Sequence, residues 1–170
     1  MQNNPSLRKW TDLRGLAVVT LDTGSKIGTV ENFYFNPTLE PIYGLQIKTG
    51  MVSRRVLPSN AIKAIGESAV TIADENVLYH EKDDDLSALI PGQNLLFYKV
   101  MSAGGTVVGE IGDIFLDVSS PSAVRVAAFE LKGGLLNRIS GHHHTFNVQD
   151  VIRYGQDVIV IPDAVAVQIQ

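Results

Sequence analysis

Residues 12–36 read DLRGLAVVTLDTGSKIGTVENFYFN, and this stretch decides the fold class of the chain. It holds two apolar runs, residues 16–21 and 26–35, that are rich in the β-branched and aromatic side chains that favour strands. Thr23 and Gly24 stand between the runs, where a tight turn requires residues that tolerate a positive φ. The stretch therefore predicts a β-hairpin.

A second stretch, LLFYKVMSAGGTVVGEIGDIFLD at residues 95–117, repeats this pattern in diverged form. Gly104 and Gly105 occupy the position of the first turn. The chain has no sustained apolar period of 3.6 residues except a weak one at residues 74–89, so helices are expected to be minor. We therefore predict an all-β protein built by tandem duplication.

The two copies set the expected domain organisation. We predict a first repeat at residues 12–75, a charged linker at residues 76–89 and a second repeat at residues 90–162. The second copy is longer by about eight residues, and most of this insertion follows Leu131. Each repeat is small, so we expect it to pack on the other repeat or on another subunit.

The second strand of each repeat predicts a β-bulge. Its apolar residues do not alternate strictly, and a strict period of two would turn Asn32 and Asp113 into the core. One extra residue near each of these positions restores the apolar face to the interior. Because bulged, coiled strands suit small closed barrels, we predict two tandem small β-barrels.

Composition excludes several classes of protein. The 170 residues carry a net charge of −4, which argues against a broad basic surface for nucleic acid. The absence of cysteine excludes disulfides, thiolate catalysis and cysteine-ligated metals. No apolar run reaches the roughly 20 residues of a membrane-spanning helix, and the first residues lack a signal-peptide core. We expect a cytoplasmic protein without a membrane span.

Three consecutive histidines provide the sharpest chemical feature. If residues 142–144 lie on a strand, His142 and His144 share one face and offer two ligands to a divalent metal. A third ligand must come from elsewhere, for example from His80, a carboxylate or a second copy. The alternative is a loop peculiar to the second repeat, with no metal or other cofactor.

Two other features suggest contact surfaces. Arg54 and Arg55 are candidate partner-binding residues, on an acidic protein surface or on RNA, and the alternative is a solvated strand edge. Trp10 precedes the first repeat, where we expect it to plug a barrel end or to fill a dimer seam. No GxSxG or comparable catalytic motif is present, so we predict no enzymatic activity and no small-molecule substrate.

The pattern resembles the PRC-barrel family. The likeness lies in the opening stretch at residues 12–36, in YGLQI at residues 43–47 and in RRVLPSNAIKAIGESAVTI at residues 54–72. In degenerate form it recurs in the second repeat, at residues 95–117 and 145–161.

The resemblance implies two PRC-like β-barrels that act in protein–protein interaction. We therefore expect a scaffold that self-associates as a homo-oligomer and docks onto a partner protein or complex, photosynthetic or membrane-associated. One alternative is a metal-binding module that uses His142 and His144. Another is a ribosome or RNA assembly factor, because a ribosome maturation factor also carries such a barrel.

Overall fold

Two β-sheets dominate the computed structural model, which describes residues 6–38, 40–81, 86–133 and 144–170. Strand β1 (Leu7–Lys9) and the short helix α1 (Trp10–Leu13) precede them, and helix α2 (Asp163–Ile169) follows them. Short 3₁₀ turns connect several strands, at Ser59–Ala61, Glu75–Val77, Gly92–Phe97, Pro121–Ala123 and Val148–Asp150. The predicted all-β class is confirmed.

The first sheet contains the strands of the first repeat. They are β2 (Ala17–Thr20), β3 (Lys26–Phe35), β4 (Gly44–Lys48), β5 (Arg54–Pro58), β6 (Ile62–Ile65), β7 (Ala69–Ile72) and β8 (Tyr79–His80). They pair in the order β6-β7-β2-β3-β4-β5-β8. Strands β2 and β7 run parallel, whereas the other neighbours run antiparallel.

The second sheet repeats this arrangement. After the short strand β9 (Ile90–Pro91) come β10 (Lys99–Ser102), β11 (Val107–Asp117), β12 (Arg125–Leu131), β13 (Thr145–Asn147), β14 (Arg153–Tyr154) and β15 (Val158–Ile161). Their order is β13-β12-β11-β10-β15-β14, and β10 and β15 form the parallel pair. The two halves of the sequence thus share one strand order.

Each sheet also receives a strand from the other half of the chain. Strand β1 lies antiparallel to β11 with Arg8 opposite Leu116, and β9 lies antiparallel to β3 with Ile90 opposite Phe35. Phe35 and Leu116 hold matching positions in the two repeats, so the exchange is reciprocal. Neither sheet is complete without residues from the other half.

The turns and bulges follow the local chemistry of the sequence. Gly24 and Gly105 have φ values of +67° and +91°, so the predicted hairpin turns are confirmed. The pairing register shifts between Val30 and Asn32, and both predicted bulges are confirmed by the matching shift before Asp113. Asp113 is nevertheless buried. Its carboxylate accepts hydrogen bonds from Thr11 in helix α1, as described below.

The prediction of closed barrels needs correction. Among the described residues, the end strands of each sheet do not pair with each other, neither β6 with β8 nor β13 with β14. Strands β8 and β14, each at one end of its sheet, contain only two residues and so offer few backbone groups for a further pairing. In the described part of the chain, each sheet stays open.

Helix α2 also differs from the expectation that helical structure is concentrated near residues 74–89. It spans seven residues, two of them buried, and Ala166 and Ile169 face the core at a spacing of three. Two turns are too short to show an apolar period, and the interspersed valines are weak helix formers. Asp163 joins the helix to the β10–β11 turn by accepting a 2.9 Å hydrogen bond from the backbone of Gly104.

The apolar core runs through both halves of the chain. Fully buried side chains from the two sheets, including Phe33, Ile47, Ile114 and Phe129, belong to a single cluster. The repeats therefore pack on each other within one chain.

Candidate functional site

The seam between the repeats is built around Trp10. Its side chain is completely buried, its ring meets that of Phe33 edge-to-face at 4.9 Å between centroids, and its indole N–H donates a 2.8 Å hydrogen bond to Gln93 Oε1. A Cβ added at Gly92 would lie 2.1 Å from the Phe33 ring, so this close packing requires glycine. Trp10, expected at a barrel end or in a dimer seam, thus lies between the two repeats of one chain.

Each bulge forms hydrogen bonds with a segment that belongs to the other half of the chain. Thr11 Oγ1 donates a 2.5 Å hydrogen bond to Asp113 Oδ2, and the Thr11 backbone donates to the other oxygen. The matching contact is a 2.9 Å hydrogen bond from the backbone of Gln93 to Asn32 Oδ1. These three bonds tie each bulge to a segment from the other half of the chain, and the two from Thr11 satisfy the buried carboxylate of Asp113.

A groove of about 580 Å³ opens at the junction of the repeats. The first repeat supplies most of its lining, and Ser122 of the second repeat also lines it. The backbone N–H of Ile42 donates a 2.8 Å hydrogen bond to the carbonyl of Val124, which fixes the rim across the junction. A pocket of this size lies in the range of about 300–1,000 Å³ that is common for binding sites.

Aromatic hydroxyls lie beside the groove. Tyr79 donates a 2.6 Å hydrogen bond to the hydroxyl of Tyr43, and both residues line the groove. Behind them Tyr34 donates to Glu81, which also accepts a 2.6 Å hydrogen bond from Gln46 Nε2. Burial, together with this hydrogen bond and the negative charge of Glu81, raises the pKa of the Tyr34 hydroxyl. Tyr34 therefore stays protonated and holds the end of β8 against the sheet.

The predicted arginine pair lies outside this groove. Arg54 forms an ion pair with Glu31, and Arg55 lies 3.6 Å from Glu75. Their side chains are half-buried, and the nearby carboxylates neutralise much of the positive charge that a partner would meet. A partner-binding role for Arg54 and Arg55 stays a prediction.

The predicted metal ligands are only partly visible. His142 lies outside the described residues, whereas His144 directly precedes β13 and its carbonyl accepts a 2.9 Å hydrogen bond from Leu131. The described residues contain no group of three histidine, cysteine, aspartate or glutamate side chains arranged to hold a metal ion. The metal site at His142 and His144 stays a prediction.

Sequence reasoning missed the residues that line the groove. Tyr43 and Ser59 lie within the segments that carry the family resemblance, YGLQI and RRVLPSNAIKAIGESAVTI, but nothing in those patterns marks either residue as part of a groove. Tyr79 precedes the charged segment and carries no motif.

Comparison with known proteins identifies the first repeat. The family model of the PRC-barrel domain matches residues 6–78. No curated protein matches the chain. In the described part of the chain, no helix has the length and apolarity that crossing a membrane requires. The matched residues begin before β1 and end immediately before β8, so residues 6–78 form a PRC-barrel domain.

Proposed function

We propose that this chain is a non-enzymatic interaction module that docks a partner protein in the groove between its two repeats. The observation that carries the proposal is the groove itself, whose lining includes Tyr43 of the first repeat and Ser122 of the second. Tyrosine offers a large rigid apolar surface and one polar group, which suits protein recognition.

The seam supports this role because it fixes the walls. The groove takes residues from both halves, so a binding surface there keeps its shape only when the halves cannot move apart. Trp10, Gly92 and the two bulge contacts hold the halves together in a single core. A preorganised surface loses less entropy when it binds.

Self-association forms a second part of the proposal. Met51 and Val52 form the tip of the β4–β5 hairpin and are 92% and 94% exposed. Two consecutive apolar side chains in solvent favour contact with another surface, and a second copy of the chain provides one. Light scattering after size exclusion, with and without zinc or chelator, tests this part. A metal-independent oligomer supports it, and a monomer throughout contradicts it.

The docking proposal is tested by affinity capture from an extract of the source cells. Wild-type chain is compared with Tyr43→Ala in the groove and with Phe97→Ala as the matched aromatic control, since Phe97 is 73% exposed and lies outside the groove lining. We expect one partner, identified by mass spectrometry, to be retained by wild type and Phe97→Ala and lost from Tyr43→Ala. Equal capture by all three chains would contradict docking in the groove.

A further inference from the structure

The β4–β5 hairpin ends in a preformed apolar tip. The backbone N–H of Thr49 donates a 3.1 Å hydrogen bond to the carbonyl of Ser53, and the Thr49 hydroxyl donates a 2.9 Å hydrogen bond to the Ser53 hydroxyl. These bonds close the loop that carries Met51 and Val52, whose side chains are the most exposed of the large apolar ones in the described part of the chain. A surface that receives the tip meets it already shaped, so little entropy is lost in ordering it.

The groove at the junction of the repeats suits this tip in charge. Glu40 is the one charged residue among the described lining side chains, and its carboxylate lies 3.4 Å from the guanidinium of Arg125. The other lining residues are uncharged, and they include Ile42 and Leu89. The tip segment at residues 49–53 carries no charge either. Because burying a charge without a counter-charge is costly, an uncharged apolar tip is an occupant that this lining can accept.

The tip and the groove lie at opposite ends of one hairpin. Lys48 pairs with Arg54 beside the tip, whereas Gly44 pairs with Pro58 beside the groove. Strand β4 rises about 3.4 Å per residue, so about 14 Å separates Gly44 from Lys48 along the strand. The tip therefore cannot fill the groove of its own chain. A second copy, displaced along the strand direction, can bring its tip to this groove.

We propose that the tip of one copy inserts into the groove of the next, so that the chains associate head to tail. Met51 and Val52 of the inserting copy pack against the groove lining of the acceptor, beside Tyr43. The contact is heterologous, because two different surfaces meet, and it leaves a free tip on one copy and a free groove on the other. This inference rests on the self-association part of the proposed function and names the surface that the tip meets. A second copy and a docked partner protein then compete for the groove.

Sedimentation velocity of the purified full chain tests the inference. Because small interfaces are weak, the chain is measured from about 10 µM to about 1 mM. We expect wild type to form dimers and then longer assemblies as the concentration rises, since each added copy presents a new free end.

Two variants remove one surface each. Met51→Ser combined with Val52→Ser removes the tip, and Ser122→Glu adds a carboxylate to a groove whose described lining contains no basic residue. Ser122 is exposed, so the substitution leaves the core intact. Ser68→Glu is the matched control, because Ser68 is also exposed but lies outside the lining. We expect the tip and groove variants to associate at least about tenfold more weakly than wild type, and the control to stay within about twofold.

Mixing the two variants gives the sharpest result. The tip variant keeps an intact groove, and the groove variant keeps an intact tip. We expect each to be monomeric alone and the equimolar mixture to form a dimer that grows no further, because one productive contact uses up the remaining tip and groove. A mixture that stays monomeric while wild type associates overturns the inference. Association of Ser122→Glu as strong as that of wild type also overturns it, because the tips then meet another surface.

The remaining outcomes separate this inference from the proposed function. If the tip variant is monomeric, Ser122→Glu associates normally and Tyr43→Ala still loses the captured partner, self-association and docking stand and the inferred contact is wrong. If the mixed variants dimerise and capture does not depend on Tyr43, the inferred contact stands and docking of that partner falls. Wild type that stays monomeric to about 1 mM overturns self-association and this inference together, while capture through Tyr43 would still support docking.

Discussion

Replacing Trp10 by alanine tests whether the seam unites the two repeats. The ring is fully buried, and truncating a buried Phe or Trp to Ala costs about 3–5 kcal/mol. The lost hydrogen bond to Gln93 adds about 1 kcal/mol. We therefore expect Trp10→Ala to lower the free energy of unfolding by about 4–6 kcal/mol, a large part of the 5–15 kcal/mol typical of a domain.

Urea denaturation followed by far-ultraviolet circular dichroism measures this loss. Trp10→Phe is the matched variant, because it keeps a ring beside Phe33 and removes the indole N–H. We expect Trp10→Phe to lose about 1–2 kcal/mol. The wild-type chain contains one tryptophan, so its fluorescence reports the seam and should follow the same transition as circular dichroism. Two separate transitions in wild type, or a loss below 1 kcal/mol in Trp10→Ala, would refute the reasoning.

Three further predictions follow from particular contacts. Gly92→Ala should lose at least about 2 kcal/mol in the same denaturation assay through the clash with the Phe33 ring, whereas Gly50→Ala, with only an ordinary contact at 3.5 Å, should lose much less. Hydrogen bonds from Ser119, and then Arg125, hold the pKa of Asp117 below its usual value; stability from this group is present above the unfolded pKa and is lost as pH falls, so Asp117→Asn should flatten the acid side of a pH–stability profile. Met51→Ser combined with Val52→Ser should leave stability within about 0.5 kcal/mol and, by light scattering, convert any oligomer to monomer.

Local chemistry made the hairpins and bulges predictable. Glycine at a tight turn and a break in apolar alternation act over a few residues, so Gly24, Gly105 and the shift beside Asn32 can be identified in the sequence. The reciprocal exchange of β1 and β9 depends instead on pairing across more than fifty residues. Three-residue and two-residue strands carry too little pattern to reveal their partners.

The candidate site was less predictable than the fold, for a physical reason. Histidine and arginine residues attract notice because their chemistry is distinctive, yet Arg54 and Arg55 lie beside carboxylates that only the folded sheet brings near. The groove lining includes Ser59, whose hydroxyl is buried without a hydrogen-bond partner among the described residues. Burial and hydrogen-bond satisfaction arise only in the folded chain and cannot be inferred from the residue type. Sequence reasoning also placed Asp113 correctly at a bulge but could not foresee its bond to Thr11.

Site-specific photo-crosslinking at position 43 tests docking in the groove most directly. A photoreactive phenylalanine derivative replaces Tyr43 in one chain and Phe97 in another, and both chains are irradiated in the source cells. We predict that position 43 crosslinks to one partner protein and that position 97 does not. Crosslinks to the same partner from position 97 alone, or none from position 43, would contradict the account.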